Sequence, residues 1–271
     1  MAHALDLSGV RAKLNRTDEQ AVFLDAEWRA FRDNADAYGV EFEADPEPYC
    51  YVVRLKVFKP VPLRLSVIFG EIIHNLRSAL DHLVCRLVES YGGIVDRQSF
   101  PIYANEADFI GNVASRGKKR GSGPLEGIPP GSKVWALMED AQPYKRGNAA
   151  KDHPFYILND SWNGDKHRVL NAAYVFPDPA NLIDAVDFGT TGAFCIDIET
   201  HEVFGRNTPL ENGAKVVTFR FDARGSQPNM QMKRPLPLDV AFGDGKGERG
   251  DLGATHAHIV TLAEACEQAF P

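Results

Sequence analysis

Apolar residues recur at intervals of three and four between Leu63 and Tyr91, the spacing that places them on one side of an α-helix. Pro62 stands where a proline costs no helical hydrogen bond, and Gly92 and Gly93 are suited to ending a helix. A helix of about 25 residues is roughly 37 Å long, so we expect it to pack against several partners at the centre of the fold. Its predicted apolar stripe consists of Leu65, Ile68, Phe69, Ile72, Leu76, Leu80, Leu83, Val84 and Leu87.

Helical spacing also occurs in the flanking sequence, at about 8–35, 133–141, 154–162 and 254–270. Between the first two long helices, Tyr38 to Phe58 alternates apolar and polar residues around the turn Asp45-Pro46-Glu47-Pro48, which predicts a β-hairpin. The Gly- and Lys/Arg-rich stretch 115–133 predicts a basic loop.

From Val169 onward the pattern changes to short β-like runs separated by Pro, Gly and Asn, namely VLNAAYVF, GAFCIDIE, AKVVTFRFD and LPLDVAF. The sequence therefore predicts an α+β fold. We expect an N-terminal helical bundle around a long central helix with an inserted β-hairpin, followed by an antiparallel β-region and a C-terminal helix. In domain terms, the prediction is a helical domain at 1–170 and a β-rich domain with the C-terminal helix at 171–271.

The composition suits a protein with a sizeable core, since 44% of the 271 residues are hydrophobic. A formal net charge of -7 argues against a protein that coats DNA or an anionic membrane over its whole surface. The segment 111–170 nevertheless has ten Lys and Arg residues against six acidic ones, so a local basic patch remains possible.

The cysteines form no Cys-x-x-Cys pair, which removes the support for zinc-ribbon and thioredoxin-type interpretations. They are Cys50, Cys85, Cys195 and Cys266. We expect reduced thiols in a cytoplasmic protein. The N-terminal sequence lacks the continuous apolar core of a secretion signal, and the long helix carries too many charges to span a bilayer, so no membrane partner is expected.

The polar side of the long helix carries the candidate chemistry. At about 100° per residue, His74, Ser78, Asp81 and Cys85 share one narrow sector. The flanks are formed by Arg77 on one side and by Glu71, Asn75 and His82 on the other. Such a set of groups can bind, titrate or catalyse. The alternative is a solvated face with weak pairs four residues apart, such as Arg77 with Asp81.

The hexapeptide from Arg77 to His82, RSALDH, resembles the Arg-x4-His signature of the HEPN family. These small helical-bundle domains often act as metal-independent ribonucleases when two protomers bring their motifs together. The resemblance implies that Arg77 contacts phosphate and that His82 is the acid–base group, so that these two are the catalytic residues. It also implies RNA or a phosphate-bearing small molecule as partner, a possible homodimer, and no cofactor.

Four blocks resemble those shared by a group of uncharacterised bacterial proteins: HNLRSALDHLV, FPI at 100–102, QPY at 142–144 and DKHR at 165–168. If the last block packs near the polar side of the long helix, the combined cluster favours an anionic ligand, phosphate above all. In the alternative interpretation, DKHR complements the dipole at a helix end. The predicted ligand-binding residues are His74, Ser78, Asp81, Asp165, His167 and Arg168.

A metal site has potential ligands in His74, Asp81, His82, Asp165 and His167, but their spacing speaks against it, and we predict none. The sequence contains no His-Glu-x-x-His, P-loop or Gly-x-Ser-x-Gly motif.

Three other histidines, His153, His256 and His258, are interpreted as surface or packing residues. A competing functional hypothesis is a non-catalytic interaction or oligomerisation protein whose polar stripe is a hydrogen-bonded structural network.

Overall fold

The computed structural model describes residues 5–34, 37–47, 50–96, 98–114, 123–166, 172–175, 186–187, 196–197, 209–221, 230–233, 238–242 and 247–270. Its mixture of helices, a hairpin and antiparallel sheets confirms the predicted α+β class. The helices are α1 (Ser8–Arg32), α2 (Leu63–Ser90), α3 (Glu106–Phe109), α4 (Lys133–Asp140), α5 (Pro154–Asp165) and α6 (Arg249–Ala269). A π-helical turn, Ile110–Ala114, follows α3, and a 3-10 stretch, Pro143–Asp152, precedes α5.

Short-range signals set several helix ends. Ser132 caps α4 by accepting a hydrogen bond from the Trp135 amide. His153 caps α5 through Nδ1, which accepts from the Phe155 amide at 3.1 Å, and Pro154 occupies the first turn. Just after the C-terminal end of α2, Gly92 has φ +75°, a conformation that favours glycine. The predicted end of the long helix is therefore confirmed.

One compact unit comprises residues 1–24, 67–170 and 249–271. Nearly all of the predicted α2 stripe within it is fully buried, including Ile72, Leu76 and Leu80. Each such side chain contributes roughly 1.5–3 kcal/mol relative to exposure. Polar contacts join α1 to α2 beside this core: Gln20 Nε2 donates to the Glu71 carboxylate at 2.7 Å, and Asn75 Nδ2 donates to Gln20 Oε1 at 2.8 Å.

The second compact unit comprises residues 25–66 and 171–248. Its strands are β1 (Tyr38–Ala44), β2 (Cys50–Val57), β3 (Ala172–Val175), β4 (Val186–Asp187), β5 (Ile196–Asp197), β6 (Lys215–Phe221), β7 (Gln231–Met232), β8 (Asp239–Phe242) and β9 (Gly247–Glu248). They form sheets of order β1-β2-β6-β5 and β3-β8-β9 and the pair β4-β7. The pairs are antiparallel, as predicted for the later strands, with Val53 opposite Val217 between β2 and β6.

The compact units are not continuous in sequence. The sequence predicts that the hairpin belongs with residues 1–170 and the C-terminal helix with 171–271. In the structure, the hairpin groups with the later strands because β2 pairs with β6. Helix α6 groups with the helices because it packs on α4 and α5. Residue 170 is still a junction between the two units.

The described cysteines, Cys50, Cys85 and Cys266, are free thiols, and Cys195 lies outside the described residues. Of the helices described, none combines the length and the apolar character needed to cross a membrane. Residues 115–122 of the stretch predicted as a basic loop also lie outside the described residues.

Candidate functional site

The polar side of α2 is partly open and partly covered. His74 and His82 are exposed, and Ser78 and Asp81 are half-buried. Arg77, in contrast, is only 4% exposed. We use the name α2 polar face for His74, Ser78, Asp81 and His82, together with Trp162, Asp165 and Lys166, which lie against or beside them. The alternative interpretation, a solvated polar side, therefore does not apply to Arg77.

Arg77 is held by an ion pair and by the main chain of residue 100, an arrangement that we call the Arg77 clasp. Its Nη2 lies 3.1 Å from Asp81 Oδ1 and donates to the Phe100 carbonyl at 3.0 Å. The Phe100 amide in turn donates to Asp81 Oδ1 at 2.8 Å. The Arg77 guanidinium thus hydrogen-bonds the main-chain carbonyl of Phe100, and the Asp81 carboxylate hydrogen-bonds its amide. This arrangement is expected for a buried charge, which must be paired and hydrogen-bonded.

The rest of the guanidinium lies against an aromatic ring. The Arg77 guanidinium carbon is 5.2 Å from the centroid of the Trp162 ring. Nε and Nη1 are buried without a hydrogen-bond partner in the described part of the chain, so the ring supplies part of the compensation. Burial lowers the pKa of Arg77, and Asp81 opposes that shift. Burial likewise raises the pKa of Asp81, against the effects of Arg77 and the Phe100 amide.

A second arrangement, which we call the Gln142 bracket, lies next to the clasp and is formed by the buried side chain of Gln142. Its Nε2 donates to the carbonyls of Pro101 at 2.9 Å and Met138 at 3.0 Å, and its Oε1 accepts from the Tyr103 amide at 3.1 Å. The blocks HNLRSALDHLV, FPI and QPY are therefore joined by one hydrogen-bonded network. This network explains why polar side chains at those positions are compatible with a core.

The fourth block reaches α2 through Asp165. A Cβ placed on Gly70 would lie 2.6 Å from Asp165 Oδ1, so the carboxylate occupies the space that a larger residue at position 70 would fill. Burial raises the pKa of Asp165, and His74 is near enough to oppose that shift. Asp165 thus lies beside Gly70 and near His74 of α2. The other two predicted residues of this block, His167 and Arg168, lie outside the described residues.

Side chains from two different segments lie near Asp81. Both His82 and Lys166 lie close enough to lower the pKa of its carboxyl group. The Lys166 ammonium lies 3.0 Å from the centroid of the Trp162 ring. The His82 imidazole lies against the first turn of α1, since a Cβ on Gly9 would be 3.1 Å from its Nδ1. Neither Lys166 nor Trp162 was predicted as a site residue from the sequence, although Lys166 belongs to the DKHR block.

The α2 polar face is chemically suited to binding anions. A lysine ammonium attracts phosphate oxygens, and an imidazole N–H can donate a hydrogen bond to them. Among the described residues, no group of three or more His, Cys, Asp or Glu side chains is placed to hold a metal ion. The two residues predicted to be catalytic differ in solvent exposure, because Arg77 is buried and His82 is exposed.

Comparison with protein-family models, with curated proteins and with solved structures finds no match to this chain. The likeness to HEPN domains and to the bacterial group therefore stays a prediction from the quoted motifs.

Proposed function

We propose that the α2 polar face binds the phosphate groups of RNA, or of a smaller phosphate-bearing ligand, in a cytoplasmic protein. The observation that supports this function is the convergence of His82 and Lys166 on the half-buried carboxyl group of Asp81, beside the Trp162 ring. These groups come from α2 and from the end of α5, so the fold, rather than one helix, assembles them.

Binding fits this geometry better than cleavage. The Arg77 guanidinium is already engaged by Asp81 and by the Phe100 carbonyl, whereas a HEPN-type ribonuclease uses the arginine on the scissile phosphate. Cleavage by Arg77 and His82 would require the clasp to open and would break its hydrogen bonds. The side chains of His82 and Lys166 are exposed and need no such rearrangement to contact phosphate.

The direct test is fluorescence anisotropy with a labelled single-stranded RNA over a range of salt concentrations. We expect Lys166→Gln and His82→Gln to weaken binding several-fold and to reduce the salt slope by about 0.7 for each phosphate that is no longer neutralised. Lys133→Gln is the matched control, since it removes an exposed lysine at the start of α4. Equal effects of Lys133→Gln and Lys166→Gln would contradict a binding site at the α2 polar face.

Two further experiments distinguish a small phosphate-bearing ligand from RNA, and binding of RNA from its cleavage. Titration with AMP and inorganic phosphate, followed by ³¹P NMR, detects a small phosphate-bearing ligand when RNA does not bind. Incubation of the protein with the labelled RNA in the presence of EDTA tests for metal-independent cleavage. Cleavage that resists EDTA and disappears in His82→Ala supports a HEPN-like ribonuclease, and gel filtration of the same sample tests the predicted homodimer.

The second candidate is the non-catalytic interaction or oligomerisation protein. It is supported by the Arg77 clasp and the Gln142 bracket, whose polar groups are directed into the molecule. If the native protein neither binds RNA, AMP or phosphate nor cleaves RNA, the phosphate-binding proposal fails and this candidate is preferred.

A further inference from the structure

A second candidate site is a cavity of about 520 Å³ formed by α4, the 3-10 stretch, the start of α5 and the C-terminal helix α6. Its volume is in the range typical of sites for small molecules. Leu137, Phe155, Leu262 and Ala265 supply much of the apolar wall. The polar groups that carry the argument are Arg146, His153 and His258.

His153 presents a hydrogen-bond donor to this cavity. The residue is 6% exposed, and its Nδ1 accepts from the Phe155 amide, so the proton of the neutral ring is on Nε2. Burial, assisted by Arg146 and His258, lowers the pKa of His153 to about 4, which keeps the ring neutral at pH 7. In the part of the chain that the structure describes, Nε2 has no hydrogen-bond partner, so its N–H is available to a ligand.

The cavity has one cation that is not neutralised nearby. Lys145 Nζ lies 3.0 Å from Glu139 Oε1 and 3.8 Å from Asp140 Oδ1, so its charge is balanced by those carboxylates. Arg146 instead donates from Nη1 to the Asp152 carbonyl at 3.2 Å. No carboxylate among the described residues forms an ion pair with it. In the described lining, Arg146 is therefore the cation that is left to pair with the carboxylate of a ligand.

His258 lies across from His153, with the two ring centroids 5.9 Å apart. Its Nδ1 is 2.8 Å from the Ala254 carbonyl, which fixes a proton on that nitrogen. Its Nε2 is then an acceptor in the neutral ring and a donor in the protonated ring. The two rings are in edge-to-face contact, so a polar group of a ligand binds beside the pair and not between the rings.

We propose that this cavity binds a small carboxylate with an apolar body, such as a medium-chain or aryl-substituted acid. Arg146 and the Nε2–H of His153 bind the carboxylate oxygens, and the wall around Phe155 and Leu262 covers the hydrocarbon part. A planar guanidinium fork matches a carboxylate in shape and charge. A doubly charged phosphate ester would need a second unbalanced cation, which the described lining does not supply.

The test uses the full chain, with octanoate and 4-phenylbutyrate as probes and the corresponding primary amides as neutral controls. Calorimetry and saturation-transfer NMR measure the binding. We expect the carboxylates to bind at least tenfold more tightly than the amides. Arg146→Gln should weaken carboxylate binding about ten- to a hundredfold and leave amide binding unchanged. Arg16→Gln, at an exposed position of α1, is the matched control.

Two other variants locate the site. His153→Asn keeps a capping oxygen for the Phe155 amide but lacks the Nε2–H, so we expect weaker carboxylate binding in a folded protein. Ala265→Phe fills the cavity and should abolish binding of acids and amides alike. Circular dichroism spectra and melting curves confirm that each variant is folded.

Three results would overturn the proposal: no binding of either acid to the native protein, equal binding of acids and amides, or equal effects of Arg146→Gln and Arg16→Gln. The result is independent of phosphate binding at the α2 polar face, because His82→Gln should leave carboxylate binding unchanged.

Discussion

Replacing Asp81 with Asn removes the carboxylate that faces the buried Arg77 guanidinium. Loss of one partner from a fully buried ion pair costs about 3–5 kcal/mol, because the remaining charge is uncompensated. Here the side chain of Arg77 is 5% exposed and that of Asp81 is 26% exposed. The asparagine oxygen can still accept the Phe100 amide, so we expect Asp81→Asn to lower the free energy of unfolding by about 2–4 kcal/mol.

The pairwise part of this effect is measured by a double-mutant cycle. Arg77→Met keeps much of the side-chain volume and removes the charge, and the double variant should cost less than the sum of the two single variants. We expect a coupling energy of about 1–3 kcal/mol. The exposed pair Arg16–Glu19 on α1 is the control, for which the coupling should stay below about 0.5 kcal/mol.

Urea unfolding followed by circular dichroism gives the global free energy of unfolding. A local probe is also needed, because a chain with two compact units need not unfold in a single transition. The Phe100 amide donates directly to Asp81, so its hydrogen-exchange rate reports on the clasp. The reasoning is refuted if the coupling energy equals that of the control pair, or if exchange at Phe100 is the same in Asp81→Asn as in the native protein.

Three further predictions concern other buried polar groups. The pKa of His153 is about 4 in the folded protein and near 6.5 in the unfolded chain, so the unfolded state binds more protons between these pH values. The contribution of His153 to the free energy of unfolding is therefore fully present above about pH 6.5. As the pH falls towards 4, the free energy of unfolding decreases by up to about 3 kcal/mol. Urea titrations at pH 7 and pH 4.5 should show a smaller loss in His153→Asn. Gln142→Ala leaves buried carbonyl and amide groups unpaired and should cost about 3 kcal/mol or more in the same assay, whereas a loss below about 1 kcal/mol would contradict the bracket. Gly70→Ala adds a Cβ from which the Asp165 carboxylate must move away. We therefore expect it to be less favourable for the melting temperature in the native protein than in an Asp165→Ala background, where that contact is absent and the helix-propensity gain of about 1 kcal/mol remains. Equal changes in both backgrounds would exclude the steric explanation.

The elements with local signals were predictable from the sequence. The apolar spacing of α2 and the positive-φ position Gly92 define that helix almost to the residue. Alternation around a Pro-containing turn likewise identified the hairpin. The pairing of β2 with β6 was not predictable, because no local pattern states which distant strand completes a sheet. Strands of two residues, such as Val186–Asp187, are too short to show a periodicity.

The candidate site was predictable in composition but not in exposure. Angular position on a helix placed Arg77 at the flank of the polar sector, and whether a flank is exposed depends on what covers it. Here the main chain at Phe100 and the Trp162 ring cover Arg77, and both come from distant sequence. The cavity beside α6 was not predictable for the same reason, since His153 and His258 stand in the sequence as isolated histidines that only the fold brings together.

The discontinuous make-up of both compact units has a consequence for synthesis on the ribosome. The hairpin edge at β2 emerges early, but its partner β6 follows only after more than half of the chain. The bundle around α2 likewise waits for α6, which is made after the other described helices. For most of translation the nascent polypeptide thus carries an unpaired strand edge and an uncovered apolar helix surface, the features that chaperones recognise and that lead to aggregation when they stay open.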